Sequence, residues 1–263
     1  SMIFQLLSRF YFFVFDRLIC YYLLKIYSTT FKIRFMNLGY VNENDAVVNN
    51  AIRKNGVEES EVPHIGLYEK TISFHPRYPS LDGCRLLEIG CGQGGGIDWI
   101  NRSHPSLTSV TGMDRVAIRD SIVTGDAHDL PFKSSSFEII INIESSHLYR
   151  NPQQFFDECA RVLSKGGHLC WTDLRFDGDE QKVQNQAEKA GFKLVAIEEI
   201  TDSVIRGMEK VAQRYDQILL MAPWYIKLFG DTFRKTYCAP GTEAHERYVK
   251  REKRYWTACW VKE

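Results

Sequence analysis

The sequence predicts an α/β fold: a doubly wound, mostly parallel sheet with an N-terminal helical lid. Three observations predict it. Apolar runs of strand length alternate with amphipathic stretches of helix length along residues 85–261. The first such run, Arg85 to Ile89, feeds a glycine-rich turn, Gly90-Cys91-Gly92-Gln93-Gly94-Gly95-Gly96. A later run, Phe-Glu-Ile-Ile-Ile-Asn-Ile at 137–143, is apolar almost throughout, as a central strand covered on both faces must be.

Taken in order, residues 4–27 read as helix, 42–61 as a loop rich in Asn, Glu and Asp, and 65–73 as helix. The first strand is 85–89, its helix begins near Ile97, and 109–113 is a second strand closing on Asp114. That is the opening of a βαβ unit. After the central strand, 152–163 is an amphipathic helix stopped by Gly166-Gly167, and 168–172 is another strand. Helix 181–190, strand 192–198, helix 203–220 and strand 255–261 complete the chain. Residues 1–62 form the aromatic-rich lid or a membrane-facing segment, and 63–263 the cofactor-binding domain with C-terminal helices over the substrate.

Composition limits the function. At 263 residues, 44% of them hydrophobic, the chain suits one sizeable domain rather than two. Lys+Arg and Asp+Glu are both 33, so no global positive field exists to hold nucleic acid. The cysteines are odd in number and never spaced C-x-x-C, which predicts a reducing, cytoplasmic setting and no zinc site. No carboxylate cluster suggests any other metal. The N-terminal apolar stretch is interrupted by Arg9, Asp16, Arg17, Lys25 and Lys32 and is too broken to span a bilayer. No small-residue cleavage site follows it, so secretion is disfavoured. It is either a lid or an amphipathic face in peripheral contact with a membrane or lipid.

The chemistry concentrates at the carboxyl ends of the strands. Glu88 precedes the glycine loop, where Gly90, Gly92 and Gly94 let the backbone approach a ligand and the next helix directs N–H groups at it. Asp114 can accept both ribose hydroxyls of an adenosine, with Met113 beside the adenine, and Asp126 can meet the adenine amino group. A nicotinamide enzyme would share the glycine loop and Asp114 but not the motifs that follow.

Glu88 to Gly94, Asp114, Gly125 to Phe132 and Arg161 to Gly167 together resemble the ordered motifs of class I S-adenosylmethionine (SAM) methyltransferases. The resemblance implies SAM as cofactor, S-adenosylhomocysteine as product, and Tyr68, Cys91, Ala127 and Asn142 as further cofactor contacts. Phe35 to Tyr40, His64 to Tyr68, Ile141 to His147 and Gly167 to Arg175 resemble, more closely, the phthiotriol/phenolphthiotriol dimycocerosate methyltransferases. That family methylates a hydroxyl of a long-chain lipid, which implies O-methylation of a lipophilic small molecule. C-methylation is the alternative chemistry. His147 is expected to take the acceptor's proton, since an ordinary imidazole titrates near neutrality. Glu144 is expected to orient His147 or touch the cofactor. Tyr40, His64, Tyr149 and Asp173 are expected to line the acceptor pocket.

One feature departs from the pattern. Eleven residues separate Asp114 from Asp126, too few for a loop, the usual helix and a third strand. The helix is therefore expected to be missing and the third strand displaced or absent, or the chain to be a shortened isoform. A methyltransferase-like binding protein with impaired catalysis is the second function class.

Overall fold

The computed structural model describes residues 34–117, 119–228 and 230–263; the helix expected at 4–27, with its lid or membrane role, lies outside the described residues. Residues 35–62, grouped by sequence with the lid, belong to one body spanning Phe35–Glu263.

Seven strands form a single sheet: β1 (Arg85–Ile89), β2 (Ser109–Asp114), β3 (Ile122–Thr124), β4 (Phe137–Ile143), β5 (Leu163–Phe176), β6 (Phe192–Glu199) and β7 (Lys253–Lys262). Their spatial order is β3-β2-β1-β4-β5-β7-β6, and only β7 runs antiparallel to its neighbours. Side chains alternate across the pleat, so each strand feeds two cores. Leu86, Ile139, Ile141 and Cys170 join a cluster with Leu67, Trp99 and Met208, while Leu87, Ile140 and Leu169 join another with Phe155, Phe156 and Val183. The first cluster draws on α2 (Val62–Ile72), α3 (Gly95–Ser103) and α6 (Thr201–Met221); the second draws on α4 (Pro152–Val162) and α5 (Glu180–Lys189). This is the doubly wound layering that the alternation of apolar runs predicts.

A buried carboxylate ties α2 to α3. Glu69, fully buried, accepts from Trp99 Nε1 at 2.7 Å, Tyr78 Oη at 2.7 Å and His104 Nε2 at 3.1 Å. Burial opposes its charge, but His104, Tyr78 and Trp99 together hold its carboxyl below the usual range.

Three expectations need correction. Residues 42–61 are not all loop, because α1 (Ala46–Asn55) forms there, capped by Asp45, which accepts from the Val48 N–H, and ending in Arg53 and Lys54 before Gly56. Gly166-Gly167 does not stop α4; the chain leaves the helix at Val162 and enters β5 at once, with Gly166 at φ 76° inside the strand.

The third strand is neither displaced nor absent. β3 pairs in parallel with β2 through Gly112↔Ile122, Met113↔Val123 and Asp114↔Thr124, and the described residues of 115–121 contain no helix, as expected. The short crossover suffices because β3 pairs only with the last three residues of β2. The chain must climb back about 7 Å, two residues of strand rise, rather than a full strand length.

Candidate active site

The carboxyl ends of β1, β2, β4 and β5 converge on one edge. At the end of β1, Gly90 has φ 78°, and a Cβ there would lie 2.5 Å from Ser145 Oγ, so only glycine fits. Gly92 donates its N–H to Asp114 Oδ2 at 2.8 Å, which fixes the carboxylate at the end of β2 against the glycine loop. Gly94 caps α3 in the left-handed conformation.

Glu88, 1% exposed, accepts from Tyr68 Oη at 2.7 Å. Burial pushes its pKa up to about 7, with the Tyr68 bond opposing and Asp114 adding to the rise. Its Oε2 is buried with no partner, and so is Asn142 Oδ1 at the end of β4. Asn142 spends its Nδ2 on Ile89 O at 2.9 Å, Ser145 Oγ at 2.7 Å and Tyr149 Oη at 3.2 Å. Two unsatisfied acceptors beside a glycine cradle fit a cationic ligand such as SAM, whose amino group can supply the missing donors. Asp126 stands beyond β3, exposed and bonded to His128 N and Nδ1, with Ala127 buried behind it.

The segment Phe35 to Tyr40 crosses this edge. A Cβ on Gly92 would meet Met36 Cε at 3.1 Å, and Leu38 donates its N–H to both oxygens of Glu144, at 2.8 and 3.1 Å. Phe35 stacks on His64, ring centroids 5.6 Å apart and 8° from parallel. Glu144 has φ 49°, and burial drives its pKa up to about 7.

Beyond β4 the chain makes a short 3-10 turn, Ser146–Leu148, that presents His147. Asp173, at the same edge on β5 and 0% exposed, faces it: Oδ1 lies 2.7 Å from His147 Nδ1, and Oδ2 accepts the His147 N–H at 2.9 Å and Ser146 Oγ at 2.6 Å. Leu174 N–H adds 2.8 Å to Oδ1, and Arg175 Nη1 stands 3.3 Å from Oδ2. Burial works against both ionised groups. The His147 imidazole and Arg175 nevertheless hold the Asp173 carboxyl well below the usual range, and the carboxylates of Asp173 and Glu144 raise His147 above its ordinary value. An ionised Asp173 only accepts, so His147 Nδ1 carries the proton and Nε2, on the far side of the ring, presents a lone pair. The His147 side chain is 26% exposed, enough to meet an acceptor.

Several expected roles change. Asp173, not Glu144, makes the hydrogen bond that orients His147, and Asp173 is too buried and too fully engaged to hold an acceptor hydroxyl. Met113 lies 1% exposed in the second core cluster, so it offers the loop its carbonyl, accepting from Gly90 and Cys91 N–H, rather than a face for adenine. Tyr40 is buried and donates to Asp45 at 2.8 Å, and His64 is buried with its ring stacked on Phe35. Tyr149 contacts Asn142 and Ser145, and Cys91 is buried beneath the loop. Sequence reasoning missed Ser146, which also accepts from Trp171 Nε1 and Arg175 Nη2, both at 2.8 Å, and it missed Arg119. Among the described residues no group of His, Cys, Asp and Glu is placed to hold a metal ion, and no helix is long and apolar enough to cross a membrane.

Comparison with known proteins agrees with this geometry. A family profile described as "Methyltransferase domain" matches residues 87–171, from the first cofactor strand to β5. The chain is 33% identical over 192 residues to phthiotriol/phenolphthiotriol dimycocerosates methyltransferase 1 of Mycobacterium ulcerans, covering 68% of this chain and 67% of that one. The chain belongs to the SAM-dependent methyltransferases, close to that family. A fatty-acid O-methyltransferase of Mycolicibacterium smegmatis is 32% identical over 243 residues, 87% of this chain and 83% of its own. Among solved structures, geranyl diphosphate C-methyltransferase from Streptomyces coelicolor superposes with a TM-score of 0.61 at 15% identity, over 90% of this chain and 92% of that one. The [4+2]-cyclase SpnF gives 0.65 at 18%, over 90% and 94%. Likeness at such identities speaks for the fold alone. As a member of this family the protein is an enzyme and uses SAM.

Proposed function

We propose that this methyltransferase methylates an oxygen of a lipophilic small molecule, with His147 as general base and Asp173 as its orienting partner. The observation that carries the reading is the His147–Asp173 pair at 2.7 Å, placed at the cofactor edge of the sheet. SAM, when bound, supplies a methyl group made electrophilic by its sulfonium. Glu88, Gly90, Gly92 and Asp114 are the residues to hold it, with Asn142 and Asp126 completing the set. His147 Nε2 takes the proton of an acceptor hydroxyl, and Asp173 stabilises the imidazolium that results. Phe35 to Tyr40, fastened by Glu144, excludes water from the glycine loop.

A lipophilic acceptor fits the exposed Leu148, next to His147 in the chain, and Met36, over the glycine loop, 74% and 47% exposed. It also fits the names of the relatives, one called a fatty-acid O-methyltransferase and the other a methyltransferase of dimycocerosates. The in-register β3 favours a working cofactor site over an impaired binding module. Proton removal favours oxygen over carbon as the acceptor, since a carbon nucleophile such as an alkene does not depend on a base before attack.

His147→Gln tests the reading. Turnover on a long-chain alcohol is expected to fall at least 100-fold while S-adenosylhomocysteine affinity stays within twofold. Turnover near the wild-type value would remove His147 from the chemistry.

A further inference from the structure

The crossover between β2 and β3, whose described residues form no helix, sends one side chain back to the glycine loop. Arg119 donates from Nη2 to the Gly94 carbonyl at 2.7 Å, and its Nη1 lies 3.2 and 3.1 Å from the two oxygens of Asp98, in the first turn of α3. A Cβ on Gly94 would stand 2.0 Å from Nη2, so a side chain there would push the guanidinium away. The same crossover begins at Asp114, which holds Gly92 N–H through Oδ2 and Val116 N–H through Oδ1 at 3.2 Å. The glycine loop is thus gripped at two points, Gly92 and Gly94, by the two ends of one short segment.

Helix stability does not explain this arrangement. A cation at the start of α3 faces the positive end of the helix dipole. The Arg119–Asp98 pair is 38% and 41% exposed, where ion pairs contribute little. Arg119 Nε is buried with no acceptor, itself a cost. What the contacts do secure is the shape of the loop.

We propose that Arg119 is a positioning residue for SAM: it braces the glycine loop from the crossover, and so sets cofactor affinity without touching the acceptor. The inference rests on assigning this loop to SAM. It is tested by titrating S-adenosylhomocysteine calorimetrically into wild type, Arg119→Ala, Arg119→Lys and Asp98→Asn, with steady-state kinetics and amide exchange at Gly92–Gly95.

Arg119→Ala is expected to raise Kd and the KM for SAM about tenfold and to speed exchange in the loop. The kcat at saturating SAM and the acceptor KM should stay within twofold. Arg119→Lys, which keeps the charge but loses the fork, should recover only part of the affinity. An unchanged Kd in Arg119→Ala overturns the proposal, and so does a matching loss in kcat and acceptor KM, which would mark general damage. Should Arg119→Ala not fold, Asp98→Asn decides: a Kd raised about threefold supports the proposal and an unchanged Kd overturns it. A wild-type protein that is folded yet binds no S-adenosylhomocysteine would defeat the cofactor assignment instead.

Discussion

Replacing Asp173 by Asn separates the two jobs given to that carboxylate. The amide keeps the shape but removes the charge that faces His147 at 2.7 Å and Arg175 at 3.3 Å. It can also turn its NH2 toward Nδ1, which would move the imidazole proton to Nε2, the wrong nitrogen for a base. General-base catalysis is worth about 10² to 10⁴ in rate, so a loss of about 100-fold in kcat is expected, or about 2.7 kcal/mol at 1.36 kcal/mol per decade. The pH profile moves as well. His147 is raised above its ordinary value in the wild type, so the acid limb of activity should lie above pH 6.5, and without Asp173 it should move to lower pH.

Stability carries its own sign. A raised His147 contributes most below pH 6.5, and that contribution is lost as pH rises through its folded pKa; a depressed Asp173 contributes above about pH 4, lost only as pH falls through its folded value. Asp173→Asn should therefore melt lower than wild type throughout pH 5 to 7. The assay is a pH-rate profile from 5.5 to 9 beside a melting curve and a titration with S-adenosylhomocysteine. An acid limb that stays in place, at full turnover, would refute the pairing.

Three other outcomes follow from the same structure. Gly90→Ala places a Cβ 2.5 Å from Ser145 Oγ at φ 78°, so S-adenosylhomocysteine affinity should fall at least tenfold by calorimetry. Glu88 and Glu144 are both raised to about 7 by burial, so their contribution to stability is present below about pH 4 and lost through pH 7. Between pH 6.5 and 8 the buried His64 and His75, lowered to about 4, are already neutral in the folded protein while the unfolded chain still sheds their protons, which offsets part of this loss; the two carboxyls outweigh them, so melting temperature should fall over that window, and Glu88→Gln should flatten the fall. Phe155→Ala, at a fully buried position of the second core, should cost about 3–5 kcal/mol by urea unfolding.

The parts of this fold legible in the sequence are those whose burial is one-sided or total. β4 and β1 announce themselves because both faces are covered and apolar side chains dominate there, apart from Glu88 and Asn142 near the carboxyl ends, where the site lies. α1 hides because only Val48 is buried, so it shows no apolar stripe; its signals were the Asp45 cap, the Arg53-Lys54 end and Gly56. β3 is three residues long, and its feasibility depended on pairing with the end of β2, a matter of register rather than composition. His147 and Asp173 were both recognised as site residues but were given separate roles. Their pairing follows from the register Ile143↔Thr172, which brings the two chains to the edge together. Arg119 left no signal, since its value comes from a crossover whose path the residues alone do not state.

The most direct test of the account is where the methyl group goes. Enzyme incubated with methyl-labelled SAM and a panel of long-chain alcohols and fatty acids, with products assigned by NMR and mass spectrometry, should place the label on oxygen, as a methyl ether or ester. Label on carbon, or none in any product from a folded protein that binds S-adenosylhomocysteine, would contradict it.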